Sequence, residues 1–441
     1  MNRMQTTKSS EIFDRALQVM PGGNTRHTIF FPPYPPYAIK AKGCSVQDVD
    51  GVEYIDFVNN YSSLIHGHNH PRIIEAVKRQ LDCLTAVALP TEAEVNLAEL
   101  LCDRVPGIAQ IRFCNSGTEA VMFAIKAARA VTGRSKIVKV EGCFHGSYDP
   151  GEVSLAASPD DWGDYDHPRS VALNQGTPQQ VLNDVVIIPF NDCETAEKLI
   201  RQHAADLSAV VIDPIPSRMN FVHAQEKYLQ MLRDVTHELD ILLIFDEVFS
   251  FRLGKGGVQD NTGIIPDLTT LGKIIGGGFP VGAFGGSKEV MKVFDGQHRF
   301  PNVFHGGTLS GNPISMVAGA AAISIMTDAE YLRLNALGDY ARLALENALE
   351  ATGTKGQVYG QGSLVGLRFS DARAENYREF IGDGSDIKLM QCLHQDLLSD
   401  GILCVPSGLF TLSTAMSETE IDVLTAAVKK SLSKTREQST A

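Results

Sequence analysis

A lysine with unusual neighbours is the first candidate for chemistry. The stretch TLGKIIGGGFPVGAFGG, residues 270–286, contains Lys273 as its single charged side chain, among glycines and apolar residues. Removing an ammonium group from water is costly, and a buried lysine commonly loses its proton or bonds to another group. Lys273 is therefore a candidate nucleophile, although a surface lysine in a glycine-rich turn would have the same local sequence.

A carboxylate stands in a position to act with this lysine. Asp246 ends the apolar run ILLIFD, and another strand-like run separates it from Lys273. Ligands of open parallel sheets bind beyond the carboxyl ends of the strands, although an acidic residue there can also serve a turn or a cap. A strand-end carboxylate and a buried lysine together suit pyridoxal 5'-phosphate (PLP). The lysine forms a Schiff base with the PLP aldehyde, and the carboxylate keeps the pyridine nitrogen protonated.

A phosphate-binding turn is the third requirement of this chemistry. The sequence CNSGTEAVMFAIKAARA, residues 114–130, predicts the end of a strand, a tight turn and a helix. The free N–H groups and the dipole of a helix N-terminus attract phosphate. Serine and threonine are also common helix caps, so the same residues are consistent with a purely structural turn.

Helices and apolar strands alternate over residues 71–311, which predicts a large α/β domain with a mostly parallel sheet. A capping box formed by Thr91 and Glu94 predicts the start of one helix, whose candidate apolar positions include Val95, Leu97 and Leu101. The strand candidates are nearly continuous apolar runs, which indicate burial on both faces: QIRFC, KIVKV, DVVIIPF, SAVVID, ILLIFD and VGAFGG.

The remaining segments predict a second, smaller domain. Residues 312–441 contain long helical stretches followed by strand-like runs and a final helix, a segregation typical of α+β structure. Residues 1–70 are predicted to complete this domain and to reach the active-site entrance. A chain of 441 residues is long enough for two such units.

The composition limits the classes of function. A net charge of -13 and a pI near 5.4 argue against a nucleic-acid partner, which would require a basic face. The apolar run at residues 313–326 is shorter than the ~20 residues that span a bilayer, and the N-terminus lacks a signal-peptide pattern, so the predicted location is the cytoplasm. Eight cysteines without a CxxC pair predict neither a metal site nor a redox motif.

Six motifs follow one another in an order that resembles the class III aminotransferases, PLP enzymes of fold type I. They are YIDFVNNYSSLIHGHNHPRI, RFCNSGTEA, GCFHGSYD, LIFDEVFSFRLG, TTLGKIIGGGFPVGAFGG and HGGTLSGNP. The resemblance covers nearly the whole chain and is strongest to the branch of glutamate-1-semialdehyde aminomutase and bacterial aminotransferases for aromatic β-amino acids. It implies PLP as cofactor, Lys273 as its anchor and Asp246 as the partner of the pyridine nitrogen.

The resemblance also implies the rest of the cofactor site. Phe144 is expected to stack on one face of the ring and Val248 on the other. The glycine and threonine of HGGTLSGNP are expected to reach the phosphate of a neighbouring subunit, which implies a homodimer with shared sites. His145 is left without a catalytic role, because a histidine there could be structural. The residues expected at the phosphate are Ser116, Gly117 and Thr118 of the same subunit and Gly307 and Thr308 of its neighbour.

Four further residues bear on the cofactor or the substrate. The segment DPIPSRMN leaves open whether Asp213 or Arg218 contacts the cofactor. Ser407 stands where the aromatic β-amino-acid enzymes have an arginine. Arg26 matches an N-terminal arginine that relatives place over the entrance, and a guanidinium can bind a carboxylate through paired hydrogen bonds. The aromatic residues near Arg26 could line an apolar pocket or pack on the dimer partner: Phe30, Phe31, Tyr34 and Tyr37.

The predicted function is transfer of an amino group from an amino acid, in particular a β-amino acid, to a keto acid by a ping-pong mechanism. The alternative within the family is an aminomutase of the glutamate-1-semialdehyde type, whose long gating loop is not recognisable between Asp149 and Asn191. A dinucleotide-binding dehydrogenase is disfavoured, because GGGFPVGAFGG leads into strand-like sequence rather than a helix. A PLP-binding regulator would carry a DNA-binding module and a basic face, and neither is present in this acidic sequence.

Overall fold

The N-terminal segment forms a small antiparallel sheet. The structure is a computed structural model that describes residues 7–29, 31–297, 300–382 and 387–440. The Thr7 side chain caps the first helix by accepting a hydrogen bond from Ser10 N. The first elements are helix α1 (Lys8–Val19), strands β1 (Ala38–Lys42), β2 (Ser45–Asp48) and β3 (Glu53–Asp56), and the one-turn segment α2 (Asn59–Ser62).

A seven-stranded sheet forms the centre of the molecule, in the order β4-β12-β11-β10-β9-β5-β8. Only β12 runs antiparallel to its neighbours in this sheet, which confirms the mostly parallel sheet predicted from the sequence. Its strands are β4 (Gln110–Cys114), β5 (Lys136–Val140), β8 (Val185–Ile188), β9 (Leu207–Ile212), β10 (Leu242–Asp246), β11 (Leu268–Gly272) and β12 (Gly282–Gly286). A two-stranded hairpin, β6 (Gly163–Asp164) and β7 (His167–Pro168), lies between β5 and β8 in the chain.

Helices connect these strands and cover the sheet. Helix α5 (Gly117–Thr132) packs on the sheet through small residues such as Ala120 and Ala124, which contact the cluster containing Val211 and Phe284. Small side chains let the helix approach the sheet closely, and this fixes the N-terminus of α5 beside the strand ends. The other helices of this region are α3 (Pro71–Leu81), α4 (Glu92–Arg104), α6 (Asp149–Glu152), α7 (Gln179–Asn183), α8 (Cys193–His203), α9 (Glu226–Glu238), α10 (Gly257–Thr262) and α11 (Lys288–Met291).

The start of α4 is as predicted, but its cap is not. The helix begins immediately after Thr91, yet the Thr91 side chain makes no capping hydrogen bond. Glu94 N instead donates to the Thr91 carbonyl oxygen at 3.2 Å. The predicted capping box is therefore wrong, because the Thr91 side chain does not take part in it. Leu97 and Leu101 are fully buried as predicted, whereas Val95 is 51% exposed.

The C-terminal region contributes a three-stranded antiparallel sheet and joins the N-terminal one. Strand β15 (Ile402–Leu403) pairs with β3 in parallel, so the first and last parts of the chain share one sheet. Helix α12 (Pro313–Ile325) packs on α3 across the predicted boundary at residue 311, with Ala318 and Ala322 against Ile73 and Val77. The domain boundaries stay predictions. The elements are α12 (Pro313–Ile325), α13 (Asp328–Thr352), β13 (Gln357–Tyr359), β14 (Leu364–Arg368), α14 (Tyr377–Gly382), α15 (Ile387–Ser399), β15 (Ile402–Leu403), β16 (Leu409–Thr411) and α16 (Glu418–Thr440). Within the described ranges, none of these helices has the length and apolarity needed to cross a membrane.

Candidate active site

Lys273 and Asp246 lie at the same edge of the central sheet. Strand β10 ends at Asp246, and the parallel strand β11 ends at Gly272, one residue before Lys273. The backbone of Lys273 has φ 48°, a left-handed conformation that is uncommon for residues other than glycine. Such conformations cluster at functional sites, where the surrounding structure maintains them.

Three hydrogen bonds hold the Asp246 carboxylate in one orientation. It accepts from His145 Nδ1 at 2.8 Å, from Thr270 Oγ1 at 2.9 Å and from Val248 N at 3.2 Å. The Asp246 side chain is only 6% exposed. Hydrogen bonds to a buried carboxylate favour its charged form, which is the form that a protonated pyridine nitrogen needs opposite it.

His145 is the site residue whose role the sequence left open. It is fully enclosed, and burial lowers the pKa of its imidazole even though Asp246 opposes this shift. A neutral imidazole that bonds a carboxylate through Nδ1 carries its proton on that nitrogen. The Nε2 atom has no partner within the described part of the chain. No sequence signal except the position next to Phe144 points to this contact.

The Lys273 amine is placed to act as a nucleophile. Its Nζ atom lies 4.2 Å from the centroid of the Phe249 ring. Burial lowers the pKa of Lys273 to about 8, a shift that the nearby Asp246 and Asp213 oppose. The unprotonated, nucleophilic amine is therefore much more abundant near neutral pH than it would be in a lysine exposed to water.

Asp213, and not Arg218, is grouped with this pair. Asp213 is 6% exposed, and burial together with the neighbouring Asp246 raises its pKa to about 8. Burial and the neighbouring carboxylate thus favour the protonated form of Asp213 near neutral pH. Arg218 is exposed on the short helical turn that follows.

The N-terminus of α5 has the form of an anion cradle. Ser116 is the N-cap residue, and its Oγ accepts from Glu119 N at 3.2 Å, so the structural cap anticipated as an alternative is present. The first N–H groups of a helix, here those of Gly117 and Thr118, have no acceptor within the helix and remain available to an anion.

The cradle is closely packed on the sheet. A Cβ atom on Gly117 would lie 2.9 Å from a methyl group of Val248, and one on Gly282 would lie 2.0 Å from the Ser116 carbonyl oxygen. Glycine at these positions lets the helix N-terminus, Val248 and the strand ends converge. These residues, together with the unpartnered His145 Nε2, fit a planar phosphorylated cofactor.

Phe144 and Val248, the residues expected on the two faces of the cofactor ring, are less buried than Asp246. Phe144 is 44% exposed, and Val248 is partly buried against Gly117 and a second glycine, Gly272. Thr118 Oγ1 accepts from Ser147 N at 3.2 Å, which ties the loop after Phe144 to α5. Stacking of Phe144 and Val248 on a ring remains a prediction.

Gly307 and Thr308, the residues expected to serve a neighbouring subunit, are both exposed. A Cβ atom on Gly307 would lie 3.4 Å from Asn115 Nδ2 of the same chain, one residue before the cradle. Large exposed apolar side chains accompany them, including Phe300, Phe304 and Leu309. Sharing of the site between two subunits stays a prediction.

Arg26 contacts the α2 turn. Its Nη1 atom donates to Asn60 Oδ1 at 2.9 Å, and its Cζ atom lies 5.9 Å from the Tyr61 ring centroid. The guanidinium is exposed, as is the side chain of Ser407, whose carbonyl oxygen accepts from Asn220 Nδ2 at 3.1 Å.

The aromatic residues near Arg26 differ in burial and in their contacts. Phe31 is buried, and its ring packs 4.9 Å from that of His394 in α15. The Tyr34 hydroxyl accepts from Thr7 Oγ1 at 3.1 Å, and Tyr37 is partly buried. Phe30 lies outside the described residues. The ring of Phe31 is thus used in packing within the chain, and the lining of an apolar pocket by these residues stays a prediction.

Similarity to known proteins extends over nearly the whole chain. The family described as Aminotransferase class-III matches residues 32–432. The glutamate-1-semialdehyde 2,1-aminomutase of Methanothermobacter thermautotrophicus is 39% identical, over 91% of this chain and 92% of its own length. An omega-transaminase structure from Sphaerobacter thermophilus is 47% identical with a TM-score of 0.96, covering 98% of this chain and 99% of its own. A β-phenylalanine aminotransferase structure from Variovorax paradoxus is 32% identical with a TM-score of 0.85, covering 96% and 93%.

Proposed function

Because this chain belongs to the class III aminotransferases, enzymes that use PLP, we propose that it takes an amino group from an amino acid and delivers it to a keto acid by a ping-pong mechanism. Its large, mostly parallel sheet is that of the fold-type I PLP transferases. The observation that carries the proposal is the juxtaposition of Lys273, with a lowered pKa, and a hydrogen-bonded Asp246 beside the α5 cradle.

An aminomutase is the second candidate, and the names of the curated relatives favour it over the aminotransferase. The relative from Methanothermobacter and others from Staphylococcus carnosus and Bacillus subtilis share the name glutamate-1-semialdehyde 2,1-aminomutase. The more similar omega-transaminase structure supports the aminotransferase. Between Asp149 and Asn191, where the sequence has no recognisable aminomutase gating loop, Arg378 donates to the carbonyl oxygens of Trp162 and Gly163 at 2.9 and 2.8 Å.

Each residue of the site has a definite task in either reaction. Bound PLP supplies an electron sink that makes the hydrogen on the donor's amine-bearing carbon acidic. Lys273 Nζ anchors the cofactor and, once released, moves a proton to and from that carbon. Asp246, fixed by His145 and Thr270, holds the proton on the pyridine nitrogen. Ser116 and the first turn of α5 bind the phosphate.

The two candidates differ in whether the carbonyl product leaves the enzyme. Purified protein is mixed separately with α-amino acids, β-amino acids, simple amines and glutamate-1-semialdehyde, without a keto acid. An aminotransferase converts its cofactor to pyridoxamine phosphate and stops after one equivalent of carbonyl product. An aminomutase turns over glutamate-1-semialdehyde repeatedly without an acceptor. If the protein converts none of these compounds, the proposal is overturned.

The proposed substrate is an amino acid, in particular a β-amino acid, whose carboxylate binds Arg26. The substitution Arg26→Ala is expected to lower kcat/KM for such a donor by about tenfold to a hundredfold, the worth of a charge-assisted hydrogen bond of ~1.5–3 kcal/mol. The expected loss is of this size because Arg26 is exposed. A fully desolvated pair of guanidinium and carboxylate would contribute more to binding. The measurement is kcat/KM for the amino acid and for an amine of the same shape without the carboxylate.

The control for this measurement is Arg15→Ala, because Arg15 is another exposed arginine of the N-terminal segment. It should leave both donors unaffected. Equal losses for the amino acid and the amine in Arg26→Ala would show that Arg26 supports its loop and does not bind the carboxylate.

The active unit is proposed to be a homodimer in which Thr308 of one subunit completes the phosphate site of the other. Thr308→Ala is expected to weaken PLP binding about tenfold, because it removes one hydrogen bond to a charged group. Equilibrium dialysis measures the affinity, and Thr419→Ala, an exposed threonine on α16, is the control. Unchanged affinity, or a wild-type protein that light scattering finds monomeric and fully active, would contradict the shared site.

A further inference from the structure

Arg252 is a completely buried cation in the segment that follows strand β10. Its side chain is 0% exposed. In the part of the chain that the structure describes, its hydrogen bonds go to a hydroxyl and two carbonyl oxygens, with no carboxylate among the acceptors. Burial lowers the pKa of its guanidinium to about 9. An apolar side chain of similar size would avoid this desolvation cost, so the value of the guanidinium must lie in the hydrogen bonds that it directs.

Three acceptors from separate parts of the chain surround the guanidinium. Nε donates to Ser363 Oγ at 2.9 Å, Nη1 donates to the Ser62 carbonyl oxygen at 3.1 Å, and Nη2 donates to the Leu412 carbonyl oxygen. Ser62 belongs to the N-terminal segment, whereas Ser363 and Leu412 flank strands of the C-terminal sheet. A planar guanidinium can reach several acceptors in fixed directions, which the compact ammonium of lysine cannot do.

The turn that Arg252 holds has an uncommon backbone. All four residues of α2 have positive φ: 47° at Asn59, 48° at Asn60, 55° at Tyr61 and 71° at Ser62. Each non-glycine residue in this conformation is unfavourable by roughly 1–2 kcal/mol, so the turn needs contacts from its surroundings. Asn59 Nδ2 provides one by donating to the Thr411 carbonyl oxygen at 2.7 Å, and Arg252 provides another.

The same turn carries the residues that hold Arg26. Asn60 Oδ1 accepts from Arg26 Nη1 at 2.9 Å, and the Tyr61 hydroxyl donates to the Thr28 carbonyl oxygen at 2.5 Å. A continuous set of contacts therefore runs from Arg252, six residues after Asp246, through α2 to Arg26 at the entrance.

We propose that Arg252 is a positioning residue that holds the left-handed α2 turn, and through it Arg26, in the orientation that receives a substrate carboxylate. This inference rests on the proposed function, since it requires Arg26 to bind that carboxylate. Arg252 would thereby contribute to the discrimination between amino acids and simple amines without touching the substrate.

The test compares Arg252→Gln with a matched control. Arg342 also donates to backbone carbonyl oxygens of the segment around Ser363, those of Gly362 at 2.8 Å and Leu364 at 3.0 Å, but it does not bond α2. In the holoenzyme, Arg252→Gln should accelerate hydrogen exchange of the amides of residues 57–64 by about tenfold, whereas Arg342→Gln should leave that exchange unchanged.

Kinetics give the second measurement. Arg252→Gln should lower kcat/KM for the amino-acid donor by about tenfold, the lower end of the loss expected for Arg26→Ala, and should change kcat/KM for the matched amine much less. Arg252→Lys retains the charge but not the planar geometry and should restore the preference only in part. If Arg252→Gln does not fold, Ser363→Ala removes one anchor of the guanidinium and should produce a smaller acceleration of exchange over residues 57–64.

The failures of the two proposals are distinguishable. Wild-type exchange over residues 57–64 in a folded Arg252→Gln or Ser363→Ala variant, or equal losses for both donors in Arg252→Gln, would overturn the positioning role. An unchanged donor preference in Arg26→Ala would instead overturn the carboxylate role of Arg26, and with it the substrate part of this inference.

Discussion

Lys273→Ala should abolish amino transfer, with a loss of at least about 10⁴-fold in the rate of a single turnover. The lysine contributes both the nucleophile and the proton shuttle, and a positioned acid–base group alone is worth about 10²–10⁴. Alanine removes the amine whose pKa burial lowers to about 8, while the cradle at Ser116 can still bind PLP. The measurement is the rate at which an amino donor converts the bound cofactor to pyridoxamine phosphate.

A control for this experiment is available on the surface. Lys288→Ala changes an exposed lysine at the start of α11 and should keep the wild-type rate. If Lys273→Ala transaminates at close to the wild-type rate, Lys273 is not the catalytic lysine.

Asp246→Asn should slow proton abstraction by about 10²–10⁴-fold with little change in shape. The amide cannot supply the negative charge that keeps the pyridine nitrogen protonated. Its NH₂ group can also face the Nδ1 proton of His145, so a 2.8 Å hydrogen bond is replaced by a contact between two donors. A single-turnover measurement with a saturating donor reports this step.

Asp213→Asn is the matched control for Asp246→Asn. Because burial and Asp246 raise the pKa of Asp213 to about 8, Asp213 is neutral near pH 7, and asparagine imitates that form. We expect a much smaller loss than in Asp246→Asn. If the single-turnover rate falls equally in the two variants, the charge of Asp246 is not what distinguishes it from Asp213, and the role given to Asp246 is contradicted.

The sequence predicted the parts of the site that depend on local pattern. Nearly continuous apolar runs predicted most of the strands. Asp246 was identified because it ends such a run, and Lys273 because it is the single charged residue among glycines and apolar residues. The start of α5 at Gly117 was readable for the same reason, since a strand, a tight turn and a helix succeed one another without a gap.

The parts that were missed depend on contacts between distant segments. His145 and Asp246 are 101 residues apart, and the hydrogen bond between them follows from the packing of a loop against the end of β10. Arg252 gave no signal, because a lone arginine in an apolar stretch is more often half-exposed than surrounded by three acceptors. The contact of Phe31 with His394 of α15 was not readable either, because the two residues lie far apart in the sequence.

The pairing of β15 with β3 has a consequence for synthesis of the protein. Ile402 lies opposite Ile55, so the N-terminal sheet gains its fourth strand only after roughly 350 further residues have been translated. At ribosomal rates of ~5–20 residues per second, the edge of β3 stays open for roughly 20–70 seconds. An unpaired strand edge can recruit other nascent chains, and such a long-range pairing also slows folding. The nascent chain should therefore depend on chaperones during this interval more than the stability of the finished fold would suggest.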